Sequence, residues 1–402
     1  MSSTSEGATG LSGRLVALMA VCCALAVSTI YYHQPLLPQI ASSFGVAPTH
    51  ASLIATLTQL GYAVGLLLIV PLADRQQPRK LATLAVAANA IALLACAAAP
   101  SFALLCAASF AVGVTAVTAQ IIIPAISGLA PPAARGRTAG ILLSGLSAGL
   151  LLARTASGFI GAATGWRTVF VLAALVDVAL LAIVAGKLPT VTTLATISYG
   201  RLIRSLGSLV REERVLRISA AAAFMMFAAF SALWATLAAL LAQAPYEFGP
   251  AAIGAFGLVA LLGIAASPRI GALVDRLDAR NMLLAGALAL AIGFAFIAAS
   301  GHGLGWLIIG MVLLDFGNRA GLVANQARVY ALRPEARSRL NTVFMGSYFL
   351  GGAAGAALGS YGAHRGAWIG LAAVGALLAL TAAAINTLSS RAARPALADS
   401  RA

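Results

Sequence analysis

Four charged side chains lie inside long apolar segments of this 402-residue sequence: Arg154, Asp177, Asp315 and Arg319. Asp315 and Arg319 are four residues apart, a spacing that puts both side chains on one face of an α-helix, where a carboxylate and a guanidinium can pair. A proton taken up by Asp315 would neutralise the carboxylate and release Arg319, which makes the pair a candidate proton-dependent switch. The alternative is a permanent ion pair that only neutralises charge for packing.

Arg154 differs from this pair because no acidic residue lies within one helical turn of it. It therefore needs a carboxylate from another segment, a backbone carbonyl group or an anionic ligand. Two interpretations stand open: a contact with substrate or a gate, and a structural tie. Asp177 lies alone in another apolar segment, and we expect it to be a structural partner of a nearby hydroxyl group or arginine.

Three further polar residues, His33, Gln34 and Gln120, interrupt apolar segments. Buried amides need hydrogen-bond partners, so we expect some of these side chains to line an internal site. A histidine could pass a proton near neutral pH, although a lone histidine more often has a hydrogen-bonded structural role. The sequence has no glycine loop for nucleotide phosphates, no histidine cluster and no zinc-like cysteine spacing, so we predict neither a metal nor a cofactor.

The elements that carry these residues are predicted to be membrane-spanning helices, because the composition suits lipid. The chain is 61% hydrophobic and 9% charged, whereas soluble domains carry roughly 25% charged residues. Residues 15–73, 81–134, 281–314 and 340–364 contain no Asp, Glu, Lys or Arg. A spanning helix needs about 20 apolar residues, and backbone groups in lipid must bond internally. We therefore predict an all-α integral membrane protein with twelve transmembrane helices. They are placed at about 14–34, 51–73, 80–98, 102–128, 138–162, 168–186, 217–242, 251–273, 281–299, 304–327, 340–362 and 367–388.

The net charge of +15 has a topological explanation. Of the 26 lysines and arginines, all but four fall on loops, tails or helix ends of one side of the predicted membrane. Arg167 and Arg365 fall on the other side, and Arg154 and Arg319 fall within helices. Positive loops stay in the cytoplasm, so we predict a multi-pass protein of the cell (inner) membrane with both termini cytoplasmic. Nucleic-acid binding does not explain the charge, because the basic residues are spread over several short loops.

The chain contains two copies of one design. Asp74-Arg75 after the second predicted helix recurs as Asp275-Arg276 after the eighth, and residues 134–137 recur as 336–339, at nearly the same offset. Two six-helix halves related by an axis along the membrane normal are typical of a transporter that rocks around a central site. We predict a cytoplasmic tail at 1–13, a first bundle at 14–186, a cytoplasmic linker at 187–216, a second bundle at 217–388 and a tail at 389–402.

The repeated loops resemble the signature of the major facilitator superfamily, which joins helices 2 and 3 and reads roughly Gly-x-Leu-Ala-Asp-Arg-x-Gly-Arg-Arg/Lys. Residues 71–80 keep the leucine, alanine, aspartate, arginine and terminal basic pair, but Val70 and Gln77 replace the glycines. The second copy, residues 271–280, keeps its first glycine. The resemblance implies that these loops form latches that hold the inward side closed, beyond anchoring the topology by charge. The latch residues would be Asp74, Arg75, Arg79, Asp275, Arg276 and Arg280.

A glycine pattern in the fifth predicted helix narrows the resemblance to proton-driven exporters, whose motif reads Gly-x8-Gly-x3-Gly-Pro-x2-Gly-Gly. Gly140, Gly149 and Gly158 match it, whereas Arg154 stands where proline is expected. Small residues let helices approach closely, so the motif is predicted to be a packing face between the halves. The arginine usual in the fourth helix is also missing, with Ser109 at roughly that position. The chain thus resembles the drug and sugar efflux branch with an altered charge layout.

The resemblance implies a monomeric secondary active transporter that exports small organic molecules, as a proton antiporter working by alternating access. In this family helices 1, 4, 7 and 10 line the central cavity, which would place Asp315 and Arg319 there. An importer or facilitator of the same fold is the first alternative. A membrane-embedded enzyme or a non-transporting receptor is the alternative from another class, although the sequence shows neither a catalytic cluster nor an extra soluble domain.

Overall fold

The computed structural model of the chain describes residues 12–131, 134–190, 198–259, 278–333 and 336–391. Nine helices among these residues are long and apolar enough to cross a bilayer, and two shorter apolar helices accompany them. The longest, Arg337–Arg391, is bent into two at Gly366 and Ala367. Within the described ranges a helix lies or begins at each of the twelve predicted positions, and of the eighth predicted span, 251–273, the described part is 251–259. These helices confirm the predicted all-α membrane fold.

We number the spans α1 to α12 in chain order. The first half contains α1 (Gly13–Ser28), α2 (Leu53–Leu68), α3 (Pro78–Ala98), α4 (Phe102–Thr115 and Thr118–Leu129), α5 (Arg135–Thr164) and α6 (Trp166–Lys187). The second half contains α7 (Arg214–Leu241), α8 (Pro250–Ala255, followed by a 3-10 turn at Phe256–Val259), α9 (Ala279–Ala298), α10 (Leu304–Tyr330), and α11 and α12 before and after the bend.

The first span differs from the single helix predicted at 14–34. The regular helix α1 is followed by a 3-10 turn at Gln34–Leu36 and by a second helix, Leu37–Phe44. Pro35 and Pro38 lie in the first turns of these two segments, where a missing N–H costs no helical hydrogen bond. The prolines therefore restart the helical path instead of ending it.

Two of the three span pairs in the first half have counterparts among the described residues of the second half. In the first half α1 packs on α5, α2 on α4 and α3 on α6, and in the second α7 packs on α11 and α9 on α12. Glycines make the closest approaches: a Cβ on Gly355 would lie 1.9 Å from the carbonyl oxygen of Ala228, and one on Gly113 would lie 2.1 Å from that of Thr58. Close backbone packing of this kind drives helix association in lipid.

The segment between the halves, predicted as a cytoplasmic linker at 187–216, contains a helix that was not predicted. This linker helix, Tyr199–Glu212, buries Leu202, Leu206 and Leu209. Residues at positions i, i+4 and i+7 lie on one helical face, so the linker helix is amphipathic. Its leucine face lies against the protein and its arginines point away.

The two ends of the linker helix are attached to different halves. The Tyr199 hydroxyl donates a 2.8 Å hydrogen bond to the carbonyl oxygen of Leu68 at the end of α2. At the other end Arg333, which follows α10, pairs with Glu212 at 3.1 Å and with Glu213 at 2.7 Å. We call this end of the bundle the linker face and the opposite end the far face.

Candidate functional site

Asp315 and Arg319 form an ion pair on α10, in which Arg319 Nε donates to Asp315 Oδ2 at 2.7 Å. Asp315 is 6% exposed, and the Arg319 side chain is 25% exposed. Removing one partner of a buried pair leaves an uncompensated charge, which costs far more than the intact pair contributes. The charge of Asp315 therefore has a large effect on the local free energy.

Arg154 projects from α5, and its hydrogen-bond partners are neutral groups. Its Nε donates a 2.6 Å hydrogen bond to Gln34 Oε1, and its Nη1 lies 3.4 Å from the carbonyl oxygen of Leu150. The guanidinium carbon is 3.9 Å from the ring centroid of Trp234 on α7 and 4.6 Å from that of Tyr31. A cation over a ring face is attracted by the ring quadrupole, so two rings and an amide hold this charge.

In the described ranges Arg154 forms no ion pair with a carboxylate. Asp315 on the other half is nevertheless close enough for the two charges to attract each other. The attraction crosses the interface between the halves, because Arg154 lies on α5 and Asp315 on α10. The two charges thus connect the α10 pair to the opposite half.

Four aromatic rings fill the contact between the halves next to these charges. Tyr62 on α2 meets Phe349 on α11 with ring centroids 4.4 Å apart, edge to face. Phe227 on α7 stacks on Tyr348 at 3.8 Å. Ring pairs of this geometry add about 0.5–1.5 kcal/mol beyond the area they bury. We call Tyr62, Phe227, Tyr348 and Phe349 the aromatic seam.

Two amides orient the tyrosines of the aromatic seam. Gln120 Nε2 on α4 donates to Tyr62 Oη at 3.3 Å, and Asn318 Nδ2 on α10 donates to Tyr348 Oη at 3.0 Å. Each half therefore uses an amide from its fourth span to fix a tyrosine. Asn318 immediately precedes Arg319, so the seam adjoins the ion pair.

Two buried polar atoms beside this site have no hydrogen-bond partner among the described residues: His33 Nε2 and Gln59 Oε1. Both residues are 3% exposed. His33 interacts electrostatically with Arg154, and the Gln59 side chain interacts with Tyr31. A buried polar atom without a partner costs about 1–3 kcal/mol. A ligand that formed hydrogen bonds with these atoms would therefore gain binding free energy.

The space at this site is small in the structure. A cavity of about 10 Å³ lies against Gln34, Arg154 and Trp234, which is room for about one water molecule. The two halves must separate before an organic molecule can reach these side chains.

Most of the residues predicted for the site are close together. His33, Gln34, Arg154, Asp315 and Arg319 are connected by the contacts above, and Gln120 joins them through the seam. Asp177 is buried on α6, which packs on α3. Within the described ranges, no group of three or more His, Cys, Asp or Glu side chains could hold a metal ion.

The rings of the aromatic seam were not predicted from the sequence. Aromatic residues are common in membrane helices, and their types alone do not show which ones face another helix. The signal that could have found them is their glycine neighbours: Gly61 precedes Tyr62, and Gly351 and Gly352 follow Phe349. Glycines in spans mark helices that approach closely.

The first predicted loop latch lies at the linker face. Asp74 ends a 3-10 turn after α2 and interacts electrostatically with Arg339 at the start of α11, an attraction between the two halves. The Arg75 backbone N–H donates to the carbonyl oxygen of Leu72 at 3.0 Å.

The remaining loop residues have contacts of other kinds. The Arg79 guanidinium donates to the carbonyl oxygen of Ala185 at the end of α6, within the first half. Arg280 accepts a 3.0 Å hydrogen bond from Asn386 through its backbone oxygen. Asp275 and Arg276 lie outside the described residues.

The three motif glycines of α5 have different surroundings. A Cβ on Gly140 would meet no atom within 4 Å, whereas one on Gly149 would lie 2.1 Å from the Ala24 carbonyl oxygen on α1. A Cβ on Gly158 would lie 2.5 Å from the Pro250 carbonyl oxygen and 2.8 Å from Gly254 Cα on α8. Of the three, Gly158 therefore lies between the halves, and Gly149 packs within one.

Hydrogen bonds also join the halves near the far face. Ser52 before α2 donates to Ser360 Oγ on α11 at 2.6 Å, and Ser360 donates to the Thr49 carbonyl oxygen at 2.6 Å. On the α5–α8 side Thr155 Oγ1 donates to the Gly254 carbonyl oxygen at 3.1 Å. These contacts and the glycine packing hold the halves together at the far face.

A disulfide between positions 52 and 360 should lock the far face closed. The double variant Ser52→Cys with Ser360→Cys, with the four buried native cysteines replaced by alanine, places two thiols where the hydroxyl oxygens are 2.6 Å apart. A disulfide forms only where two positions lie close together, as these two do while the far face is closed. Oxidation should therefore join the two halves covalently and stop transport, and a reductant should restore transport. Each single-cysteine variant is the control. Full transport after complete cross-linking would show that this contact does not open in the cycle.

Comparison with known proteins agrees with this architecture. The family model described as "Major Facilitator Superfamily" matches residues 16–268 and 219–401. The uncharacterized transporter YgaY of Escherichia coli O157:H7 is 36% identical over 371 residues, covering 92% of this chain and 94% of that protein. The probable transporter SCO4007 of Streptomyces coelicolor is 33% identical over 389 residues, covering 95% and 90%.

Solved structures share the fold at lower identity. The crystal structure of the human organic anion transporter MFSD10 aligns with a TM-score of 0.71 at 18% identity, covering 93% of this chain and 99% of that one. The peptide transporter POT aligns with a TM-score of 0.73 at 16% identity, covering 96% of each chain. The family model covers nearly the whole chain, and the relatives at more than 30% identity are named as transporters. The chain therefore belongs to the major facilitator superfamily of membrane transporters.

Proposed function

We propose that this chain exports small organic molecules across the cell membrane in exchange for protons, by alternating access. The observation that carries the proposal is the buried Asp315–Arg319 pair on α10, beside the aromatic seam between the halves. Ionisable groups inside membrane spans are costly, and they commonly mark proton relays and substrate paths. The efflux resemblance of the α5 glycine pattern supports the outward direction.

The coupling would work through the charge of one carboxyl group. Deprotonated Asp315 pairs with Arg319 and attracts Arg154 from the other half. Protonation removes both attractions, so the free energy of the contact between the halves changes with each proton bound. A ligand that binds two conformations unequally shifts their populations, and here the proton and the substrate would be the two ligands.

The orientation follows from the charge distribution. We propose that the linker face is cytoplasmic, since the linker helix and nearby loops carry most of the basic residues. The electrostatic contact of Asp74 with Arg339 would then close the cytoplasmic side, and the Ser52–Ser360 contact would close the outer side. In a bacterial cell the protein would then lie in the inner membrane with both termini cytoplasmic. Each chain contains both halves, which supports a monomeric transporter.

The test is proton movement in proteoliposomes that contain a trapped pH-sensitive dye. A pH gradient is imposed, and solutes of different charge are added one at a time: ethidium, chloramphenicol and naphthalene-2-sulfonate. For a transported solute we expect protons to move in the direction opposite to the solute. Liposomes without protein control for passive leakage.

Each other outcome contradicts part of the proposal. Solute movement with unchanged internal pH would indicate a facilitator. Protons and solute moving in the same direction would indicate a symporter, and hence an importer. Solute movement without protons would return Asp315 and Arg319 to a structural role, whereas symport would contradict the direction of transport and leave the coupling role of Asp315 standing.

A further inference from the structure

We infer that the substrate is an aromatic organic anion whose acidic group binds Arg154 and whose ring lies on the aromatic side chains around it. This rests on the proposed function, because it names what the central site carries.

The described residues leave the site with one positive charge in excess. Two arginines and one carboxylate meet there, and the carboxylate of Asp315 is paired with Arg319 at 2.7 Å. Arg154 is 6% exposed and has neutral hydrogen-bond partners, Gln34 and Leu150. Burying a charge is costly unless an opposite charge and hydrogen bonds compensate it. An anionic substrate would supply the missing negative charge.

The hydrogen-bonding atoms of Arg154 suit an acidic group. A guanidinium has five N–H donors in a planar fork, and the two hydrogen bonds found within the described ranges use one at 2.6 Å and one at 3.4 Å. The fork can therefore still bind a carboxylate through two parallel hydrogen bonds, the geometry in which arginine binds such groups most strongly. His33 Nε2 has no hydrogen-bond partner among the residues that the structure describes, lies within electrostatic reach of Arg154 and offers a further polar contact.

The rings around Arg154 favour an aromatic body for the substrate. The guanidinium carbon of Arg154 lies 3.9 Å from the ring centroid of Trp234 and 4.6 Å from that of Tyr31. The ring centroids of Phe230 and Trp234 are 6.2 Å apart. A ring attached to an acidic group on Arg154 would lie next to these side chains. Aromatic stacking in offset or edge-to-face geometry would then add to the ionic contact.

The inference is tested by binding to the purified protein in detergent at neutral pH. The probes are benzoate, benzamide and benzylamine, which share one ring and differ in charge, and calorimetry measures each Kd. We expect benzoate to bind at least about tenfold more tightly than benzamide, which corresponds to about 1.4 kcal/mol, and benzylamine to bind more weakly still. Arg154→Gln should remove the preference for benzoate, and Arg154→Lys should retain part of it, because lysine keeps the charge without the fork.

The matched control is Arg365→Gln. Arg365 also stands over an aromatic ring, that of Tyr361 at 5.1 Å, but it lies away from the site, so its replacement should leave the three Kd values unchanged. Thermal unfolding of each variant confirms that it is folded. Equal affinity for the three probes, no saturable benzoate binding, or an unchanged preference in Arg154→Gln would overturn the inference. Binding requires no proton movement, so the result of the binding test is independent of the result of the antiport test.

Discussion

Asp315→Asn should abolish proton-driven transport while the protein still exchanges substrate across the membrane. Asparagine has the shape of the protonated carboxyl group, but it cannot release a proton and offers Arg319 no charge. Gradient-driven accumulation in proteoliposomes should fall at least about tenfold, equivalent to a loss of about 1.4 kcal/mol of driving free energy. Exchange of labelled for unlabelled substrate at equal pH needs no proton step, so its persistence shows that the variant is folded and inserted.

The control for this substitution is Asp177→Asn, the same chemical change at a carboxyl group that is also buried, at 2% exposure. Asp177 lies on α6, which packs on α3 of the first half, and its replacement should leave proton-driven transport intact. The opposite pattern, with coupling lost in Asp177→Asn and kept in Asp315→Asn, would make the α10 pair structural and move the protonation site to α6.

Gly158→Ala should hinder closure of the far face. The added Cβ would lie 2.5 Å from the Pro250 carbonyl oxygen and 2.8 Å from Gly254 Cα, and these backbone atoms cannot yield as a flexible side chain would. Overpacking of this kind costs about 1–3 kcal/mol, which lowers the ratio of closed to open protein by about 5- to 150-fold. We expect transport to fall by a comparable factor, and the disulfide between positions 52 and 360 to form more slowly.

Two other glycines of α5 provide matched controls. Gly140→Ala adds a Cβ in open space and should be neutral or should stabilise the helix by up to about 1 kcal/mol. Gly149→Ala clashes with α1 of the same half, so it should lower the unfolding temperature without a specific effect on far-face cross-linking. Parental cross-linking and transport rates in Gly158→Ala would show that α5 and α8 separate easily at this point.

The spans were predictable because membrane insertion depends on local hydrophobicity, which a sequence shows directly. The Asp315–Arg319 contact was predictable for a similar reason, since helical geometry alone brings together residues four apart. The second helix of the first span, Leu37–Phe44, was not predicted, because Pro35 and Pro38 can either end a helix or begin one. Which of these occurs depends on whether the next residues continue along the protein surface.

Contacts between distant spans were not predictable from one sequence. Gln34 and Arg154 are far apart along the chain, and nothing in their residue types indicates that they bond to each other rather than to other polar groups. The aromatic seam was missed for the same reason, since a ring in a membrane helix can face lipid equally well. The linker helix was within reach, because Leu202, Leu206 and Leu209 have helical spacing amid polar residues.

The attachment of the linker helix to both halves limits how far the halves can separate at the linker face. The helix spans 14 residues, about 20 Å at 1.5 Å per residue, and it is fastened to Leu68 at one end and to Arg333 at the other. A helix of fixed length allows its two attachment points to rotate about each other, but it does not allow them to move further apart. The halves can therefore separate at the linker face only as far as the length of the helix allows. A wider opening must first break the Tyr199 hydrogen bond or the glutamate contacts of Arg333.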